Sequence, residues 1–130
     1  MISATTGIGI TGLGQIAINV HDVDRATAFY RDKLGLKPLF AAGGLSFFDC
    51  FGIRLMLSRP EKPEFDHPSS ILYFRVPDIV VAHAELQSRG VQFESEPHLI
   101  AKMPDHDLWM GFFRDSEQNL LGLMCEVRGK

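Results

Sequence analysis

The densest group of chemically capable side chains lies in residues 97–110. It holds His98, Asp105, His106, Asp107 and Trp109, the only tryptophan in the 130-residue chain. His106 stands between two aspartates. An imidazole beside carboxylates can take up or release a proton near neutral pH, so His106 is the first candidate for a general acid or base and His98 the second. The stretch 97–107 carries no element pattern and is longer than a hairpin connection needs. It reads as a long loop of functional type, with Trp109 as either a ligand contact or a core anchor. Arg54 and Arg75 form a second group. Two guanidiniums facing a cleft would hold a carboxylate, phosphate or enolate. The alternative is that Arg54 pairs with Asp49 on the neighbouring strand while Arg75 points to solvent. No Ser–His–Asp or Cys–His arrangement follows from the spacing. His21 and His67 read as solvent-facing turn residues, and His83 as an exposed residue on an outer helix.

These side chains need elements to hold them. Residues 15–20 alternate in the manner of a half-buried strand: Ile16, Ile18 and Val20 face one way, Gln15, Ala17 and Asn19 the other. Asp22 is placed as a helix N-cap, followed at helical spacing by Ala26, Phe29, Tyr30 and Leu34, with Gly35 closing the helix. A strand at 36–41 follows, then a Gly43-Gly44 turn and a hairpin of 45–50 with 53–58 around Phe51-Gly52. Residues 59–69 contain Pro60, Pro63 and Pro68 and read as a linker. The pattern then restarts. It gives a strand at 71–76, a helix from Asp78 to about Arg89 with Ile79, Ala82 and Leu86 on its apolar face, and a closing Gly90. A strand at 91–94, the long loop, and strands at 108–114 and 120–125 complete the chain.

The restart is a repeat. Val20-His21-Asp22-Val23 matches Val76-Pro77-Asp78-Ile79, and Gly35-Leu36 matches Gly90-Val91. Phe47-Phe48 matches Phe112-Phe113, and Leu55-Met56-Leu57 matches Leu121-Gly122-Leu123. Four features in one order mark a duplicated unit. The expected fold class is α+β, with two βαβββ modules at about 14–59 and 70–127. A linker at 60–69 joins them within one domain, 1–130, with a cleft between sheets.

Two segments resemble a known family. The run from Ala26 through Phe29-Tyr30-Arg31-Asp32 to Leu34-Gly35-Leu36 is similar to the helix end of the vicinal-oxygen-chelate superfamily. That superfamily includes glyoxalase I, bleomycin-resistance and fosfomycin-resistance proteins, and extradiol dioxygenases. Phe112-Phe113-Arg114-Asp115-Ser116-Glu117-Gln118-Asn119 resembles its Phe-x-Asp-Pro-x-Gly-Asn turn, with Ser116 and Gln118 in place of the usual proline and glycine. The resemblance covers about 14–127. It implies a half-open barrel with helices outside, a ligand on the concave face and, in many members, a dimer. It also implies one metal ligand in each of four strands, at Gln15, Met56, Ile71 and Gly122 here. A divalent ion needs imidazole, carboxylate or carbonyl donors. These four positions offer an amide, a thioether and two residues without donors, so the expectation is a site with no metal and no other cofactor. What lines the cleft instead is Gln15, Ala17 and Asn19, then Arg54, Met56 and Ser58, then Ile71, Tyr73 and Arg75, then Leu120, Gly122 and Met124. Phe112 joins them by its match to the family turn.

Bulk properties narrow the classes. Apolar residues make up 45% and charged residues 22% of the chain, and the net charge is −3. That argues against nucleic acid, whose binders carry a basic stripe. Residues 1–14 have neither a basic leader nor a long apolar run, so no signal peptide or membrane span is expected. Cys50 and Cys125 read as buried free thiols of a cytoplasmic protein. The functional reading is a small-molecule protein, as a metal-independent lyase or isomerase using His106 or His98, with Arg54 and Arg75 on an anionic group. The alternative is a non-catalytic drug- or metabolite-binding homodimer of the bleomycin-resistance type. A third is a metal enzyme whose ligands have moved to His98, His106 or Asp49.

Overall fold

A computed structural model describes residues 7–129. Its elements are β1 (Gln15–Asn19), α1 (Val23–Ala28), β2 (Lys37–Ala42), β3 (Leu45–Cys50), β4 (Ile53–Ser58), β5 (Leu72–Arg75), α2 (Ile79–Ser88), β6 (His98–Lys102), β7 (His106–Arg114) and β8 (Leu120–Arg128). They form two four-stranded mixed sheets of identical plan, β1-β4-β3-β2 and β5-β8-β7-β6. In each, the first strand pairs parallel with the last and the other ladders are antiparallel. This is the α+β fold expected from the repeat. Among the described residues the two sheets share no ladder, so they do not close into a barrel.

The helices start as their sequence dictates. The Asp22 carboxylate accepts the Arg25 N–H, and the Asp78 carboxylate accepts those of Val80 and Val81, satisfying donors the first helical turn leaves free. Gly35 and Gly90 end the helices at φ +72° and +86°, which side chains with a Cβ adopt only under strain. Thirteen positions separate Asp22 from Gly35, but only twelve separate Asp78 from Gly90. The extra residue is absorbed by a π-helical turn, Phe29–Lys33, which continues α1. Single-residue insertions into helices commonly take this form.

Alternation sends Ile18, Leu55, Leu57 and Phe48 from the first sheet, and Leu121, Leu123 and Phe113 from the second, into one core with Ala26, Tyr30, Ile79 and Leu86. The modules are also joined by polar contacts. The buried Tyr30 hydroxyl donates to Asp115 Oδ2 at 2.7 Å. Glu117 accepts from the Arg25 guanidinium at 2.6 Å and from the backbone N–H groups of His21 and Asp22. Lys33 Nζ donates to the Arg89 carbonyl, and Arg89 Nη1 returns a bond to the Lys33 carbonyl at 2.9 Å.

The second module departs from expectation between 91 and 107. The strand placed at 91–94 is a single bridge, Phe93 to Phe113. The stretch 97–107 is no long loop: it contains β6, paired antiparallel with β7, and only a short turn. The register shifts between Leu99 and Ala101, so Leu99, Ile100 and Ala101 do not alternate and the period-2 signal is lost. A bulge breaks the period in this way. β2 carries the equivalent irregularity between Pro38 and Phe40. His83, expected to be exposed, is 8% exposed and stacks edge-on against Phe93 at 4.4 Å. Position 83 belongs to the inner stripe of α2, between Ile79 and Leu86, while Val80 and Val81 face out. Cys125 is buried and Cys50 half-buried, both as free thiols. Residues 1–6 lie outside the described residues, and 7–14 run exposed without forming a strand.

Candidate ligand-binding site

The face of each sheet turned away from the helices carries the candidate residues. In the first sheet Gln15 pairs with Arg54 and Ala17 with Met56. Arg54 Nε donates to Gln15 Oε1 at 2.9 Å, and Gln15 Nε2 lies 3.6 Å from Met56 Sδ. The Arg54 guanidinium sits 5.7 Å from the centre of the Phe47 ring, within cation–π range. Phe47 in turn stacks on Phe40 at 4.5 Å. Arg54 therefore does not pair with Asp49, although the two are cross-strand neighbours; Asp49 Oδ1 accepts the Gly52 N–H instead. With Nε bound to Gln15 and the Phe47 ring in cation–π range, the two terminal nitrogens of Arg54 are left without a hydrogen bond among the described residues.

In the second sheet Gly122 lies between Tyr73 on β5 and Phe112 on β7. The two rings meet edge-on at 5.8 Å. Met110 pairs with Met124 one step along, and His98 pairs with Met110. This face is aromatic and thioether-rich, with Arg75 beside Met124.

The remaining candidates are dispersed. Asn19 uses its side-chain N–H groups on the Phe65 and His67 carbonyls, tying the linker to β1. Its role in this geometry is to hold 65–69 in place. His106 Nδ1 is 2.8 Å from Asp105 Oδ1, and its Nε2 is 4.0 Å from Glu126. Arg128 spans the same two carboxylates. Arg128 and then His106 hold the exposed Asp105 carboxyl down at about 2. His98 turns Nδ1 toward the Glu96 carbonyl at 3.2 Å. Trp109 lies on the opposite side of β7, packed against the core with Cys125 as its strand partner. Phe40, Phe47 and Met110 were not singled out from sequence. The Phe47-Phe48 doublet conceals which ring faces out, because aromatic side chains occupy both faces of β3 and the buried position beside them is Ser46.

The four positions tied to a metal by the resemblance do not fit a divalent ion. Gln15 and Met56 bond each other. Ile71 precedes β5 and lines a separate hollow beside Asn19. A Cβ at Gly122 would stand 2.9 Å from Tyr73 Cδ2 and 3.2 Å from Phe112 Cε1, so the rings fill the space a ligating side chain would need. Among the described residues no group of three His, Cys, Asp or Glu side chains stands close enough to hold a metal ion, and no helix is long and apolar enough to cross a membrane.

Comparison with known proteins places this geometry. A family model, the Glyoxalase/Bleomycin resistance protein/Dioxygenase superfamily, matches residues 12–123. A member of that superfamily from Sphaerobacter thermophilus superposes with a TM-score of 0.76 at 22% identity, covering 90% of this chain and 98% of its own. An antibiotic binding protein from Streptomyces sp. CB03234 gives 0.72 at 22% identity, with coverage of 92% and 98%. A lactoylglutathione lyase from Agrobacterium tumefaciens gives 0.71 at 21%, with coverage of 88% and 93%. At these identities the likeness is one of fold.

Proposed function

Because the chain belongs to the Glyoxalase/Bleomycin resistance protein/Dioxygenase superfamily, we propose that it binds a small aromatic anion on its concave sheet faces, without a metal ion and without turnover. The observation that carries this reading is the substitution of rings for donors around Gly122, where Tyr73 and Phe112 fill the ligating space. Aromatic walls with a few fixed polar points suit a small organic molecule. Arg54, oriented by Gln15 and seated on Phe47, supplies the anchor for a carboxylate.

The same faces support a homodimer. Phe40 is 53% exposed and Tyr73 45% exposed, and two open sheets of one chain leave such rings to water. A second copy facing them would bury the rings and enclose the ligand. A catalytic reading has one observation in its favour, the 2.8 Å contact of His106 with Asp105. Against it, Nδ1 of that ring is engaged by Asp105, which Arg128 also binds, so that only Nε2, 4.0 Å from Glu126, is left to meet a substrate.

Calorimetric titration with 3-phenylpropionate tests the binding. Saturable binding that Arg54→Ala weakens at least tenfold, to a protein holding less than about a tenth of an equivalent of metal after metal-replete purification, is the expected result. Stoichiometric metal, or affinity indifferent to Arg54, would sink the proposal. Sedimentation of the protein beside Tyr73→Glu tests the dimer: the wild type should run as two chains and the variant as one.

A further inference from the structure

A second hollow, of about 590 Å³, lies on the helix side of the second sheet. Trp109 and Cys125 on neighbouring strands form its floor, and Ile79 and Val80 of α2 form one wall. Three carboxylates line it, on Asp78, Glu96 and Asp107, and among the described residues no lysine or arginine does. Acidic side chains alone would not make a site. His83 adds an independent demand. It lines the same hollow, is 8% exposed, and its Nε2 is buried without a hydrogen-bond partner. Its Nδ1 stands 3.9 Å from Glu96 Oε2, too far for a hydrogen bond. Nε2 is sealed from solvent, so Nδ1, turned toward Glu96 in the lining of the hollow, is the nitrogen that an occupant can pair.

We propose that this hollow binds a small protonated amine carrying an aromatic or alkyl group. The ammonium donates an N–H to His83 Nδ1 and brings positive charge to Glu96, while the apolar group lies against Trp109 and the α2 wall. The volume falls within the range of small-molecule pockets. Three carboxylates in a lining without lysine or arginine among the described residues select against an anion of the same shape. This site is separate from the concave faces, so two ligands of opposite charge can occupy one chain.

The single tryptophan makes the test direct. The full chain is titrated at pH 7 with 2-phenylethylamine while Trp109 emission is followed. Emission should change saturably, and 3-phenylpropionate should leave it unaltered. Glu96→Gln, at an exposed position that does not threaten folding, should weaken binding about fivefold, the scale of one exposed charge pair. Val80→Arg, which places a cation at the mouth, should abolish the response, and Arg54→Ala on the concave face should not change it. An equal response to 3-phenylpropionate, an affinity unmoved by Glu96→Gln, loss of the response in Arg54→Ala, or no saturation would each overturn the proposal.

Discussion

Replacing Glu117 by glutamine should separate charge from shape at the contact joining the two modules. The Glu117 side chain is 1% exposed. Burial pushes its carboxyl up, but bonds from Arg25, from the backbone N–H groups of Asp22 and His21, and from Ser116 outweigh that and hold it down at about 2, against an ordinary 4.5. That displacement is worth about 3 kcal/mol to the folded state. Because the folded carboxyl ionises at a lower pH than the unfolded one, the stabilisation is complete above about pH 5. It fades as pH falls, with about 2 kcal/mol gone by pH 3. Urea unfolding of wild type and Glu117→Gln at pH 7 and pH 3, followed by Trp109 emission, measures it. With a slope of about 1.5 kcal/mol per molar urea, the variant's midpoint should sit about 2 M below wild type at pH 7 and less than about 1 M below at pH 3. An equal gap at both pH values would mean that the amide merely packs badly. A gap under about 0.5 kcal/mol at pH 7 would refute the ionic account altogether.

Two further outcomes follow from local geometry. Gly122→Ala drives a methyl into the Tyr73 ring at 2.9 Å and should cost about 1–3 kcal/mol. The penalty should largely vanish in a Tyr73→Ala background, read from the same urea curves. Phe51 is 94% exposed and sits at φ +53° in the β3–β4 turn, a conformation that costs a bulky L-residue about 1–2 kcal/mol. Phe51→Asn, which suits a two-residue hairpin turn before Gly52, should stabilise the protein by about 1 kcal/mol and raise the Tm by several degrees.

The duplicated plan was legible because it rests on local signals: the Asp22 and Asp78 caps, the glycines that end both helices, and the alternation in β1, β4 and β8. The stretch 97–107 was not, because a bulge in β6 removes the period by which strands are read. His83 was misplaced for a different reason. A polar residue on a helix suggests exposure, but the spacing 79, 83, 86 puts it on the buried stripe, where it packs against Phe93. At the site, alternation brought Gln15, Arg54 and Met56 to one face. It carried no information on partners, so the bond from Arg54 to Gln15 rather than to Asp49 had to come from the structure. Trp109 stands three residues from Phe112, so the same alternation that turns Phe112 to the cleft puts it on the other side of β7.

The exchanged bonds between Lys33 and Arg89 have the form of a two-fold contact. Each cation reaches the last turn of the other module's helix, so the Lys33 and Arg89 carbonyls take a bond from across the seam. A half-chain carrying one module would expose an unsatisfied helix end and would need a second half-chain to complete it. Such reciprocity is what a symmetric pairing of identical subunits produces. In this chain it is an internal seam, with both partners held on one polypeptide.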